Sequence, residues 1–363
     1  MSVFICSIIP QEVVVKNNVS QASVLFCRKI IKTGYFNKIL SILPITVNEP
    51  IFIESGNRNI VNIQSRYFKH LSIGRYLNAS METIKALKYC KGENYIWFYN
   101  INNQNILLYI TLRYFTNKKV FILLADFTPP VRTFSLSKFV EYLIEHSDGI
   151  ISLSERSTIQ HKNTISIPGI IEPLPNQFNS SNDNNTITRN KFLFSGYLGK
   201  VTGIDLALKY FSKHPQYLLF ITGRGEYADK VKEFSNRFTN IRYLGFIDYD
   251  RYEELLINID FCLNFRNPYL PENLNNFPSK VLEYFSYNKI VISTMLYPEL
   301  DNTNYLYTDY SESGIEDAML KIIKTSDSEL LAFRKNNETV MANYSFVKWI
   351  KSFTEIERCS KKM

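Results

Sequence analysis

Histidine is scarce in this chain, with four among 363 residues. No His-x-x-x-His spacing occurs, which argues against a zinc enzyme. The five cysteines, Cys6, Cys27, Cys90, Cys262 and Cys359, are odd in number and scattered. No pair has metal-ligand spacing, so free thiols in a reducing cytoplasm are expected. No apolar stretch reaches bilayer length; the best, Ile106–Phe115, is cut by Arg113. Met1–Pro10 lacks a basic n-region and does not read as a signal peptide. Neither a Walker loop nor a Gly-x-Gly-x-x-Gly fingerprint is present. Basic runs interleaved with aromatics are missing as well, so no nucleic-acid partner is expected.

What is present indicates a globular enzyme-sized protein. The chain is 45% hydrophobic and 14% aromatic. Its length exceeds one ordinary core and predicts two domains. The net charge of +8 is unevenly placed: residues 1–185 hold 19 Lys and Arg against 12 Asp and Glu. A basic first half can attract anionic lipid headgroups, and a solvated face with a slight basic excess accounts for it equally well.

Hydrophobic patterning gives the organisation. Val3–Ile9, Asn59–Ile63, Tyr95–Phe98, Val120–Ala125 and Gly149–Ser152 read as strands. Ser20–Thr33, Met81–Tyr89, Leu107–Phe115 and Leu136–His146 read as helices among them. Strands and helices in turn predict a parallel sheet with crossovers. Residues 176–190 are dominated by Asn, Ser and Thr and read as a linker between domains 1–175 and 191–340. The second half repeats the alternation. Strands are expected at Lys191–Ser195, Tyr217–Thr222, Ile241–Leu244, Ile259–Asn264 and Ile290–Ser293, with helices Ile204–Lys213, Tyr227–Phe238 and Tyr249–Ile257. A last helix from Met341 to about Cys359, within 341–363, carries Phe346, Trp349, Ile350 and Phe353 at helical spacing. It is expected to pack back on the first domain. The fold class is α/β, with two Rossmann-like doubly wound parallel-sheet domains facing a central cleft, where ligands bind in such folds.

One run carries most of the chemistry. Asn275-Asn276-Phe277-Pro278-Ser279-Lys280-Val281-Leu282-Glu283-Tyr284 opens a helix before the strand Ile290–Ser293. A helix start offers unpaired N–H groups and a positive dipole end to a phosphate. Lys280 adds a charge, and Glu283, a turn deeper, can accept hydrogen bonds from a ribose diol. An ordinary capped helix is the plainer alternative. Gly196-Tyr197-Leu198-Gly199-Lys200-Val201-Thr202-Gly203 follows a strand, and its glycines allow close approach to a pyrophosphate, which Lys200 can neutralise. Asp248-Tyr249-Asp250 resembles a metal-binding Asp-x-Asp, but its place before Tyr252–Leu256 marks it as a helix cap. Asp126 ends an apolar strand, where it can orient or deprotonate an acceptor hydroxyl, or cap the turn that follows. Asn17 and Asn18 can supply amides to an acceptor.

In order, these segments resemble the donor domain of family 4 glycosyltransferases: the glycine loop, Gly203-Ile204-Asp205, Thr222-Gly223-Arg224-Gly225, Tyr243-Leu244-Gly245-Phe246-Ile247, Ile259–Asn264 and Pro278–Tyr284. The likeness covers most of residues 190–297. The first half resembles the family's acceptor domain loosely, through Leu123–Asp126 and Gly149–Ser154. The resemblance implies the GT-B fold and retaining, metal-independent transfer with no cofactor. It implies a nucleotide-sugar donor, expected to be UDP-linked, and a lipid-linked or glycan acceptor at the inner face of a membrane. It places Glu283 on the ribose, the backbone of Ser279 and Lys280 on the diphosphate, and Gly196 in the same pocket. It places the base near Gly223 and against Phe246 and Ile247. Three positions depart from the family pattern: Tyr197 replaces an Arg, Thr202 a Lys, and Asn275 the first Glu of a pair. Arg266, Lys280 and Lys200 are expected to supply the missing cations, with Arg266 able to make bidentate contacts. A sugar-nucleotide epimerase and a non-catalytic nucleotide-binding subunit remain alternative readings.

Overall fold

The structure is a computed structural model that describes residues 2–10, 13–14, 21–43, 60–64, 74–125, 136–155, 157–172, 187–275 and 277–361. The chain divides into two units: Met1–Ile170 with Phe346–Met363, and Ile171–Ser345. The divisions fall at 170 and 345, where the sequence reading set 175 and 340. Most of the expected linker lies outside the described residues.

In the first unit, seven strands form one parallel sheet: β1 (Ser2–Cys6), β2 (Lys38–Ile42), β3 (Ile60–Ile63), β4 (Tyr95–Tyr99), β5 (Lys119–Leu124), β6 (Gly149–Ser152) and β7 (Thr164–Ser166). Their order is β3-β2-β1-β4-β5-β6-β7, with every pairing parallel. The helices are α1 (Gln21–Lys32), α2 (Gly74–Cys90), α3 (Ile106–Tyr114) and α4 (Leu136–Glu145). Continuous burial of β1, β5 and β6 is what a sheet covered on both faces requires. β2 and β7 escape the sequence reading because each is short and opens on a polar residue. Helix α2 begins at Gly74, about two turns before the expected Met81, because packing overrides the weak propensity of Asn78 and Ser80.

In the second unit, six strands form another parallel sheet: β8 (Lys191–Tyr197), β9 (Leu218–Arg224), β10 (Ile241–Tyr243), β11 (Phe261–Asn264), β12 (Ile290–Ser293) and β13 (Leu306–Tyr307). Their order is β10-β9-β8-β11-β12-β13. The helices are α5 (Ile204–Phe211), α6 (Ala228–Arg237), α7 (Tyr249–Ile257), α8 (Pro271–Asn275), α9 (Ser279–Ser286), α10 (Glu312–Lys324), α11 (Asp327–Ala332) and α12 (Asn337–Tyr344). Helix α5 buries Ile204, Ala207, Leu208 and Phe211, the one-face spacing that seats a helix on a sheet. Its Phe211 meets Phe192 of β8 edge-on, with ring centroids 5.3 Å apart.

The expected single C-terminal helix is two: α12 stops at Tyr344, extended backbone at Ser345 turns the chain, and α13 (Phe346–Ser360) follows. α13 belongs to the first unit. It buries Trp349, Phe353 and Ile356 on one stripe. Trp349 Nε1 donates to Gly169 O at 2.8 Å. The buried Glu357 carboxylate accepts from Ser2 Oγ at 2.8 Å and from Trp97 Nε1 at 2.9 Å.

Candidate donor site of the second unit

The strand order of the second sheet reverses between β8 and β11. In open parallel sheets, ligands bind outside the carboxyl ends of the strands at such a switch point. Gly196 is the last but one residue of β8, whose pairing with β9 ends at Tyr197, and Phe265-Arg266 follow β11 directly.

Both strands β8 and β9 run two residues past their expected ends, because glycine makes the extra pairing possible. Gly196 and Gly223 are register partners with φ of 130° and 140°. A β-carbon on Gly223 would stand 1.8 Å from Gly196 O. The loop after β8 then presses on β11: Gly203 has φ 69°, and a β-carbon there would stand 1.6 Å from Phe265 O. Only glycine tolerates both the conformation and the contact.

The departures at Tyr197 and Thr202 have structural roles. Thr202 Oγ1 lies 2.8 Å from Tyr197 O and 2.9 Å from Gly199 O and closes the loop on itself. Tyr197 is exposed, with its ring over Gly199. Lys200 donates its backbone N–H to Glu226 Oε1 at 3.1 Å, and its side chain is exposed. Arg266 is fixed from two sides: Nη1 donates to Asn273 Oδ1 at 3.0 Å, and its carbonyl accepts from Thr294 Oγ1 at 2.6 Å.

Helix α9 supplies the second part of the site. Pro278 precedes its first turn, offers no side-chain cap, and no acidic residue neutralises the positive end of the dipole. Ser279 is exposed there. Lys280 Nζ lies 2.7 Å from Glu283 Oε2 and 3.9 Å from the ring centroid of Tyr252 on α7. The Tyr252 hydroxyl donates to the same Glu283 oxygen at 3.1 Å. Burial, then the nearby Glu283 charge, pushes the Tyr252 phenol well above its usual range, so it stays protonated as a donor. The same two causes push Tyr249 up to about 12. Ser195 Oγ and Tyr284 OH are 2.7 Å apart, which joins the glycine end of β8 to α9 one residue past Glu283.

The third part lies beyond β9 and β10. Gly223 N donates to Gly245 O at 2.9 Å, and Tyr243 OH donates to Gly223 O at 3.0 Å. The Arg224 guanidinium sits 4.8 Å over the half-buried Phe246 ring, and Ile247 is half-buried beside it.

The expected residues thus fall into connected groups. Gly196 and Lys200 lie on the glycine loop, which Gly223 meets at Gly196 and Arg266 meets through Asn273; Lys280 and Glu283 pair directly, with Tyr252 against both; and Phe246 and Ile247 follow Gly245, whose carbonyl accepts from Gly223 N. Asn275 ends α8, and Asp126 lies outside the described residues, as do Asn17 and Asn18. Asp248 caps α7, its carboxylate accepting from Arg251 N at 2.9 Å, as its position before that helix predicts. Tyr252, Asn273 and Thr294 escape sequence reasoning. Their signal is tertiary, since each reaches the site from another element.

Comparison with known proteins bears on the second unit and on the fold. Residues 176–338 match the family model described as "Glycosyl transferases group 1". No curated protein matches the sequence. Among solved structures, sucrose-phosphate synthase from Thermosynechococcus elongatus is similar at a TM-score of 0.72 and 13% identity, covering 99% of this chain and 98% of that one. Anabaena HepE in complex with UDP and glucose is similar at 0.70 and 14% identity, covering 98% of each chain. The catalytic domain of Arabidopsis thaliana starch synthase IV, bound to ADP and acarbose, is similar at 0.68 and 11% identity, covering 99% of each chain. At these identities the structures speak to fold, and the fold is GT-B-like, with two parallel-sheet units. With the domain match on the second unit, the chain is a glycosyltransferase.

Proposed function

We propose that the protein transfers a hexosyl group from a UDP-sugar, with retention and without a metal, to a lipid-linked or polysaccharide acceptor of surface-glycan synthesis. The observation that carries this reading is the linked site of the second unit. An uncapped α9 start holds Lys280 and Glu283 beside the Gly196 end of β8, at the switch point of the sheet. In this reading Glu283 accepts from the ribose hydroxyls, the N–H groups of Ser279 and Lys280 meet the diphosphate, and Gly223, Phe246 and Ile247 bound the base. The Lys280–Glu283 pair separates on donor binding, as ribose hydroxyls replace Lys280 on Glu283 and Lys280 turns to the diphosphate. UDP in the HepE complex favours uridine.

The reaction is a front-face displacement. The bond from the anomeric carbon to the diphosphate oxygen breaks while the acceptor oxygen bonds the same face. The acceptor proton passes to the departing diphosphate. Arg266, Lys280 and Lys200 balance the charge that gathers there. Asp126 orients the acceptor hydroxyl, and Asn275 stands where the family contacts the sugar.

No helix among the described residues is long and apolar enough to cross a membrane. Support for a peripheral role comes from α3 and α4. They are held side by side by Tyr109 OH donating to Leu143 O at 2.7 Å. They expose Tyr114, Phe115, Leu136, Phe139 and Tyr142, and Phe115 is 78% exposed.

A thermal-shift panel of UDP-, ADP- and GDP-sugars tests the donor assignment. UDP-sugars are expected to stabilise the protein, and slow donor hydrolysis is expected to accompany them. Glu283→Ala should weaken UDP binding roughly 10- to 100-fold, the size of a lost charge-assisted contact. A panel with no shift, or full UDP affinity in Glu283→Ala, would sink the assignment. Tight binding without turnover on any acceptor would instead favour a non-catalytic subunit.

A further inference from the structure

Asn273 is 1% exposed and lies in α8, two residues before the Asn275–Tyr284 run and outside the motifs that mark the donor site. Its amide faces three partners. Oδ1 accepts from Arg266 Nη1 at 3.0 Å, while Nδ2 donates to Val201 O at 2.8 Å and to Asn267 O at 2.9 Å. An amide has two donor hydrogens and one acceptor oxygen, and all are engaged here. One buried side chain therefore spans the glycine loop, the stretch after β11 and the guanidinium. The Gly203–Phe265 contact brings that loop against β11, and Asn273 fixes its lateral position.

We propose that Asn273 is a positioning residue of the transfer reaction, holding Arg266 and the glycine loop in register so that the guanidinium stands preset for the leaving diphosphate. This rests on the donor-site reading above. The chemistry explains why an amide stands at this place. An aspartate would still accept from Arg266, but it would offer no hydrogen to the two carbonyls, and its charge would offset the guanidinium. An aliphatic residue would leave a buried N–H and two buried carbonyls unmatched. A preset cation costs no reorganisation when charge develops, so its placement acts on turnover more than on ground-state binding.

The test combines UDP calorimetry with steady-state hydrolysis of UDP-glucose. It uses wild type, Asn273→Ala and the isosteric Asn273→Asp, each also in an Arg266→Ala background. Both single variants should lower kcat roughly 10- to 100-fold, as a misplaced catalytic group does. Asn273→Ala should change the UDP Kd by less than about threefold, a kcat effect without a matching binding effect. In the Arg266→Ala background neither substitution should lower kcat further by more than about twofold, because the two residues act as one unit. A merely structural asparagine would lower Tm, leave kcat per folded molecule intact, and combine multiplicatively with Arg266→Ala. Wild-type kcat in folded Asn273→Asp, or full multiplicativity, overturns the proposal, and the isosteric variant decides the matter if Asn273→Ala does not fold. Lack of UDP binding by the wild-type chain would overturn the donor-site reading and this proposal with it. Intact UDP binding with an unchanged Asn273→Asp kcat would overturn this proposal alone.

Discussion

The two sheets share the strand order 3-2-1-4-5-6 in their own numbering, with a seventh strand added at the edge of the first, yet they use glycine differently. In the first unit, the described positive-φ glycines are Gly34 and Gly92, each just past the end of a helix, where an added β-carbon would meet nothing within 4 Å. They end helices and nothing more. In the second unit, Gly203 and Gly223 sit where a β-carbon would collide with a neighbouring carbonyl. There the absent side chain lets backbones of β8, β9 and β11 close on one another around the switch point. The lesson is that a shared strand order does not by itself distinguish the two units; close backbone approach at the carboxyl ends of strands does.

That contrast can be broken most sharply by alanine at both kinds of glycine. Gly203→Ala should cost more than about 4 kcal/mol and abolish UDP binding, because steric overlap adds to the left-handed conformation. Gly34→Ala should cost only about 1–2 kcal/mol, the conformational term alone. Urea unfolding with a UDP titration checks both, and equal losses would end the distinction.

Arginine offers the next comparison. Arg266→Ala should lower kcat roughly 100- to 1,000-fold with a small change in stability, as loss of one preset charge-stabilising donor does. Arg113 of the first unit donates from Nε to His146 O at 3.0 Å and lies 3.5 Å from Asp148. Arg113→Ala should cost about 1 kcal/mol of stability and leave kcat per folded molecule unchanged. Turnover unchanged in Arg266→Ala would show that the second unit's arginine is as structural as the first unit's.

The smallest effect concerns the exposed face of α3 and α4. Phe115→Ser should weaken co-sedimentation with anionic vesicles by roughly threefold, less than full burial of a phenyl ring would give. Equal sedimentation of wild type with neutral and anionic vesicles, or no change in the variant, would remove the first unit's membrane role.

Much of this was legible from the residues themselves. β6, α7 and β12 fall within their expected bounds, because an apolar run or an Asp cap sets each end. The places of Gly196 and Gly223 at strand ends and of Glu283 one turn into a helix were legible because each is set by the local sequence. β2, β7 and β13 were not: Ser41 breaks the apolar run of β2, β7 and β13 are only three and two residues long, and all three are held by neighbours distant in sequence. Asn273 and Tyr252 were hidden for the same reason. An asparagine in a five-residue helix carries no periodic signal, and Tyr252 reads as an ordinary helical aromatic until Glu283 is placed against it.

The return of α13 to the first unit has a consequence for how the protein is made. The indole N–H of Trp97 and the hydroxyl of Ser2 both donate to the buried Glu357 carboxylate of α13. During synthesis the first unit therefore waits, its core open along the α13 stripe, while the ribosome completes the whole of the second. The unit begun first is finished last, and the nascent enzyme matures from its middle outward.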